Sequence, residues 1–272
     1  MKVVSSHLDL TFPEDLAFVP TMGALHEGHL SIIRAAKKKS QHVLVSIFVN
    51  PIQFSKNEDY QRYPKQEEKD LKLLEKEGVF AVFLPKVTDI YPVSFSKVAK
   101  VQIFAKRWCA ARRKGHFDGV CSVLLRFIHL LKPQSLFLGE KDFQQYLMVK
   151  KMIHDFFIPI QLYLVPTVRD SKTGLALSSR NAYLDDLKRA ARVYETLKLG
   201  LLLFRSGIVS APVLRKKMLT FLHEDPLFQL DYLGFVDSDT LMPVSQVSLG
   251  NRMLIAVFFQ GVRLIDNQVF ES

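Results

Sequence analysis

Two histidines, His26 and His29, flank Gly28 in the stretch VPTMGALHEGHLSIIRAAKKKS (19–40), where an apolar run ends and a helical pattern begins. Histidine suits neither a tight turn nor a helix start, so its presence there points to chemistry. Gly23 and Gly28 let backbone and ligand approach closely, and the amides and positive dipole end of the following helix suit a phosphate. The imidazoles add hydrogen-bond donors whose charge rises when an anion arrives. Neither the Walker A spacing nor a Gly-x-Gly-x-x-Gly fingerprint is present, and the pair is not a His-Glu-x-x-His zinc motif.

Three further segments carry similar potential. In FVNPIQF (48–54), Asn-Pro opens a turn and Gln53 offers an amide able to grip a carboxylate or hydroxyl. In FLGEKDFQQ (137–145), Glu140, Lys141 and Asp142 place a cation and two carboxylates at a strand end, and Gln144 and Gln145 open the next helix. In GLALSSRN (174–181), two hydroxyls precede Arg180, a residue suited to bidentate phosphate contact. Taken singly, Ser-Ser-Arg-Asn reads equally as a cap for a helix from 184 onward.

Positioning these segments requires a frame, and the apolar pattern supplies one. Strands are expected at 16–21, 42–49, 79–85, 135–140 and 158–167, with helices at 29–40, 63–78, 118–133 and 143–157. The strands have little polarity on either face, as parallel sheets require. Alternation of this kind predicts an α/β, Rossmann-like, doubly wound parallel sheet, with ligands beyond the strands' carboxyl ends. All four segments follow strands. Residues 86–115 have no clear pattern. Beyond 175 the texture changes: two helices within 185–224, then FQLDYLGFVDSDTL and NRMLIAVFFQGVRLIDN as strands joined by a turn at Gly250-Asn251. The domains read as 1–175, Rossmann-like, and 176–272, a smaller α+β domain.

The bulk numbers exclude other classes. With 272 residues, 48% hydrophobic and 24% charged, the chain has the composition of a folded globular protein. No apolar run is long enough for a membrane span, and the first twenty residues do not read as a secretory signal. Cys109 and Cys121 form no metal or disulfide pattern, which suits reduced thiols in the cytoplasm. The net charge of +10 is spread along the chain, with no basic tail and no RNA-binding module. Anionic small substrates account for it better than nucleic acid.

The sequence also carries a resemblance. PTMGALHEGH is similar to the His-x-Gly-His signature of nucleotidylyltransferases and class I aminoacyl-tRNA synthetases, and ALSSRN resembles their second, Lys-Met-Ser-Lys-Ser-like loop. FVNPIQF, EDYQRYP, HFDGVCSVL, GEKDFQQ, LALSSRNAYL and RLIDN together resemble the pantothenate synthetase (pantoate–β-alanine ligase) family from about residue 16 to 267. The resemblance implies a cytoplasmic homodimer that condenses pantoate with β-alanine through pantoyl adenylate, using ATP and Mg2+. It implies ATP binding by Met22, Gly23, Ala24, Leu25, His26, Glu27, Gly28 and His29, with His29 catalytic. Gly139, Glu140, Lys141, Asp142, Val168, Leu177, Ser178, Ser179 and Arg180 would complete the ATP site. Gln53 and Gln145 would hold pantoate, and Gln53 also β-alanine. Asp70, on the helix after YPKQEEK, is a candidate magnesium ligand. YPKQ stands where Tyr-Pro-Arg-Thr is usual in the family and RKGHF where Arg-Pro-Gly-His-Phe is frequent; RDSKTGLAL is one residue longer. An adenylyl- or cytidylyltransferase with another acceptor shares the first motif, and a basic nucleic-acid-binding protein is the non-enzymatic alternative.

Overall fold

The computed structural model describes residues 1–6, 12–55, 58–92, 95 and 107–272. Parts of the opening segment and of the unassigned 86–115 region, with Lys106 of the basic cluster, lie outside the described residues. The chain divides into two compact units, Met1–Glu140 with Gln144–Pro166, and Lys141–Phe143 with Thr167–Ser272.

The first unit is built on a six-stranded parallel sheet in the order β1-β4-β3-β2-β5-β6. Its strands are β1 (Lys2–Val4), β2 (Ala17–Thr21), β3 (Val43–Ile47), β4 (Ala81–Phe83), β5 (Ser135–Gly139) and β6 (Gln161–Val165). From β2 the chain steps outward through β3 to β4, then returns to the other side of β2 as β5. That reversal opens a crevice beyond the carboxyl ends of β2 and β5. β1, three residues at the sheet edge, carries too little periodicity to be read from sequence.

Both faces of the sheet are covered, which is why its strands are apolar throughout. On one face, Ala17, Val19, Val43, Val45, Val82 and Phe137 pack with Leu30, Ile33 and Ala36 of α1 (Glu27–Lys37) and Leu74 of α2 (Glu67–Lys76). On the other, Phe127 of α5 (His116–Leu131) meets Phe18, Phe48 and Phe83 edge-on at 5.7, 5.8 and 5.8 Å. Short helices α3 (Val87–Ile90) and α4 (Trp108–Arg112) precede α5, and α6 (Phe143–Asp155) follows β5. The helix expected from 63 begins only at Glu67. Tyr63 is buried ahead of it, and Gln66, standing where the family usually has Thr, gives α2 no side-chain cap.

The second unit contains α7 (Leu187–Ala190), α8 (Arg192–Arg205), α9 (Ala211–His223) and an antiparallel sheet that β7 (Phe228–Val236) opens, in the order β7-β8-β9. Leu197, Leu214, Met218 and Leu222 of the helices pack with Phe235, Ile255, Val257 and Phe259 of the sheet. Here the structure corrects the expected strand count. The segment after Gly250-Asn251 is not one strand but a hairpin, β8 (Arg252–Phe259) and β9 (Val262–Val269). Gln260 and Gly261 turn it with φ of 51° and 75°, the paired positive values a two-residue hairpin loop needs. The sequence changes texture near 175, whereas the compact units divide at Pro166/Thr167. The extra length of RDSKTGLAL forms a turn in which Asp170 accepts from the Lys172 and Thr173 amides and the Thr173 hydroxyl.

Candidate functional site

Three loops of the first unit leave the carboxyl ends of neighbouring strands: 22–26 after β2, 48–54 after β3, and Glu140 after β5. The first is tightly made. Gly23 has φ of +80°, and a Cβ there would come within 3.0 Å of both Asp70 Oδ2 and Ile47 Cγ2, so only glycine fits. Ala24 follows with φ of 50°. This bend aims the Ala24 and Leu25 amides at Asp70, whose two carboxylate oxygens accept them, each at 2.8 Å.

Asp70 is only 1% exposed. Burial pushes its carboxyl above the usual range, and the two amide bonds work against that shift. Both oxygens accept from the loop backbone, so Asp70 braces the motif. Among the described residues, no three His, Cys, Asp or Glu side chains cluster as a metal site.

Why the motif uses histidine follows from the helix it starts. His26 is the N-cap of α1, and its Nδ1 accepts from the Gly28 amide at 3.1 Å. His29, three residues on, accepts from the His26 amide through its own Nδ1 at 3.3 Å. This is a capping box with imidazoles in place of hydroxyl and carboxylate. Because both Nδ1 atoms accept, the proton of each neutral ring sits on Nε2. The ring centroids lie 4.1 Å apart. The expected supply of backbone amides is smaller than the sequence suggests, since those of Ala24, Leu25 and Gly28 have internal partners. Glu27 is turned to Arg34, which also pairs with Glu77.

The second loop shows equal control. Gln53 ends a 3-10 turn, Pro51–Gln53, and is buried. The Asn50 Nδ2 donates to Gln53 Oε1 and to the Gly119 carbonyl, both at 3.0 Å, while the Tyr91 hydroxyl donates to Asn50 Oδ1 at 2.8 Å. With its Oε1 occupied, Gln53 presents Nε2 as donor; that atom lies 3.0 Å from Met22 Sδ. His116 Nδ1 donates to the Gln53 carbonyl at 2.9 Å, and its Nε2 takes Arg113, itself clamped by both Glu58 oxygens. Gly119 lets α5 lie directly against this turn: a Cβ there would stand 2.6 Å from Gln53 Cα and from the Ile52 carbonyl oxygen. Sequence reasoning assigned no role to Tyr91, His116, Arg113 or Gly119. The blocks FVNPIQF and HFDGVCSVL contain several residues of this network, but only the fold joins them. Gln145 is half-buried on the first turn of α6, whereas its neighbour Gln144 accepts the Cys109 amide. Both cysteines are free and buried, and burial pushes the Cys121 thiol up to about 12, leaving it inert.

In the second unit, Lys141 and Asp142 lie in a 3-10 turn, Lys141 half-buried and Asp142 exposed. Val168 and Leu177 are joined by a backbone hydrogen bond of 3.0 Å, and Arg169 bridges to Ala176. The structure thus sets Val168 beside the 177–180 segment. Ser178 caps a 3-10 helix, Ser179–Tyr183, by accepting from the Arg180 amide at 3.3 Å. The cap reading of Ser-Ser-Arg-Asn holds for this short helix and not for the next, α7, which Asp186 caps.

Similarity to known proteins narrows the chemistry. A family profile described as pantoate-beta-alanine ligase matches residues 3–269. A pantothenate synthetase of Thermosipho melanesiensis is 43% identical over 254 residues, 93% of this chain and 90% of that one. The crystal structure of pantothenate synthetase from Thermus thermophilus superposes with a TM-score of 0.96 at 40% identity, over the whole of both chains. A pantoate-beta-alanine ligase from Francisella tularensis, solved with beta-gamma ATP and β-alanine, covers 100% of this chain and 98% of its own, with a TM-score of 0.82 and 34% identity.

Proposed function

The chain belongs to the pantoate–β-alanine ligase family and is an enzyme that joins pantoate to β-alanine at the expense of ATP; we propose that it does so through a pantoyl adenylate. In the first half-reaction a pantoate carboxylate oxygen attacks the α-phosphorus of ATP, and the bond to pyrophosphate breaks. In the second, the β-alanine amine attacks the acyl carbon, loses a proton, and AMP departs with the bridging oxygen. The observation that carries this reading is the pairing of two tautomer-fixed imidazoles after β2 with an orientation-fixed carboxamide after β3.

The chemistry suits those groups. Attack on phosphorus gathers negative charge on the non-bridging oxygens and on the leaving pyrophosphate, and preorganised donors stabilise it without reorganising. His29 Nε2–H is the principal donor, with His26 beside it; the remainder of 22–28 shapes the loop around ATP. Lys141 and Arg180 add positive charge on the phosphates. Asp142 takes the ribose, and Gly139, Glu140, Val168, Leu177, Ser178 and Ser179 complete the nucleotide contacts. Gln53 and Gln145 hold pantoate in line, and Gln53 borders the β-alanine position. Magnesium enters as MgATP, its charge offsetting that of the triphosphate. Residues 176–272 act as a lid that keeps water from the adenylate. The enzyme works as a cytoplasmic homodimer on small-molecule substrates. No helix among the described residues is long and apolar enough to cross a membrane.

Labelled pyrophosphate is expected to pass into ATP when pantoate and MgATP are present and β-alanine is absent. Steady AMP release is expected only when all three substrates are supplied. An exchange reaction that demands β-alanine would rule out a free adenylate.

A further inference from the structure

Strand β9 carries two adjacent buried polar residues, Asp266 and Asn267, 4% and 5% exposed. Burying a carboxylate and a carboxamide side by side at a sheet edge is costly unless each has a partner. Successive side chains of a strand point to opposite faces, so the two address different parts of the second unit. Asp266 receives Arg169 in a bidentate pair, at 2.5 and 3.0 Å, and the Arg169 guanidinium also stacks on Tyr194 at 3.9 Å. Arg169 begins the turn whose far side runs directly into Leu177–Arg180. On the other face, Asn267 Oδ1 accepts from Arg252, which fixes the amide's orientation and directs Nδ2 to the Lys141 carbonyl at 3.1 Å. The Arg252 guanidinium in turn lies 3.8 Å over the Phe143 ring.

We infer that Asp266 and Asn267 are positioning residues for nucleotide binding: from one strand they anchor both Lys141 and the 177–180 segment. The inference rests on the reading that those segments meet ATP. Asn267 touches no substrate; it sets the backbone from which the Lys141 ammonium projects, and Asp266 sets the register of the serine–arginine loop.

Asn267→Asp separates this role from folding. It keeps an acceptor for Arg252 but replaces the donor to Lys141 with an oxygen that repels the carbonyl. Asn267→Ala removes the donor without that repulsion. ATP binding by the full chain, followed by titration calorimetry, is expected to weaken by about tenfold in both variants, in line with loss of one buried hydrogen bond. Pantoate affinity is expected to stay within about twofold. Unchanged ATP affinity in either folded variant overturns the inference. So does an equal loss for ATP and pantoate with a falling Tm, which indicates general loosening. Binding is read without turnover, so a wild-type protein that binds ATP yet releases no AMP counts against the ligase chemistry alone.

Discussion

His29→Ala is expected to lower pantoate-dependent pyrophosphate exchange by about 10²-fold or more, the scale of losing one preorganised donor to a developing oxyanion. The imidazole has two jobs in this reading, and the variant removes both: Nδ1 accepts the His26 amide, and Nε2–H is the proposed donor to phosphate. Two further substitutions separate them. Asn places its amide near the position of Nδ1, so His29→Asn retains the cap and loses the donor; Gln reaches toward Nε2, so His29→Gln retains a donor and loses the cap. Activity is expected to follow the donor, with His29→Asn as poor as His29→Ala and His29→Gln partly active. Stability is expected to follow the cap, by about 1 kcal/mol. Near-normal exchange in His29→Asn would remove the Nε2 hydrogen from the mechanism.

Asp70→Asn is expected to damage both stability and activity, although it exchanges a single oxygen for an amide nitrogen. The native carboxylate accepts two amides, from Ala24 and Leu25. An asparagine accepts only one and sets an N–H against the other, leaving a buried amide without a partner. The cost is about 1–3 kcal/mol. Because the Gly23–Ala24 bend depends on those bonds, the histidines lose their position, and exchange is expected to fall at least ~10-fold even where the protein remains folded. Thermal unfolding and exchange measured on the same preparation check this. Magnesium offers the discriminating control: excess Mg2+ is not expected to restore activity, because Asp70 braces a loop. Full rescue by magnesium would return Asp70 to the metal.

How far the sequence carried this account depends on which residues interact locally. The parallel sheet was legible because strands such as HVLVSIFV are apolar on both faces and alternate with amphipathic helices. The β8–β9 hairpin was hidden because Gln260-Gly261 interrupts an otherwise continuous apolar run, and glutamine is an unusual residue for a positive φ. His26, His29 and Gln53 attracted attention as residue types out of place at strand ends. The bracing role of Asp70 was not legible, because its partners are backbone amides that no side-chain pattern reveals. The networks around Gln53 and Asn267 were illegible because they are assembled across 41, 63 and 126 positions of sequence.

The central claim is that ATP activates the pantoate carboxylate at the α-phosphorus. It is tested most directly with pantoate carrying ¹⁸O in its carboxylate, turned over with MgATP and β-alanine. The adenylate route moves one carboxylate oxygen into the phosphoryl group of AMP, so AMP heavier by one ¹⁸O is expected, with unlabelled pyrophosphate. Label appearing in orthophosphate, or AMP without label, would contradict the mechanism.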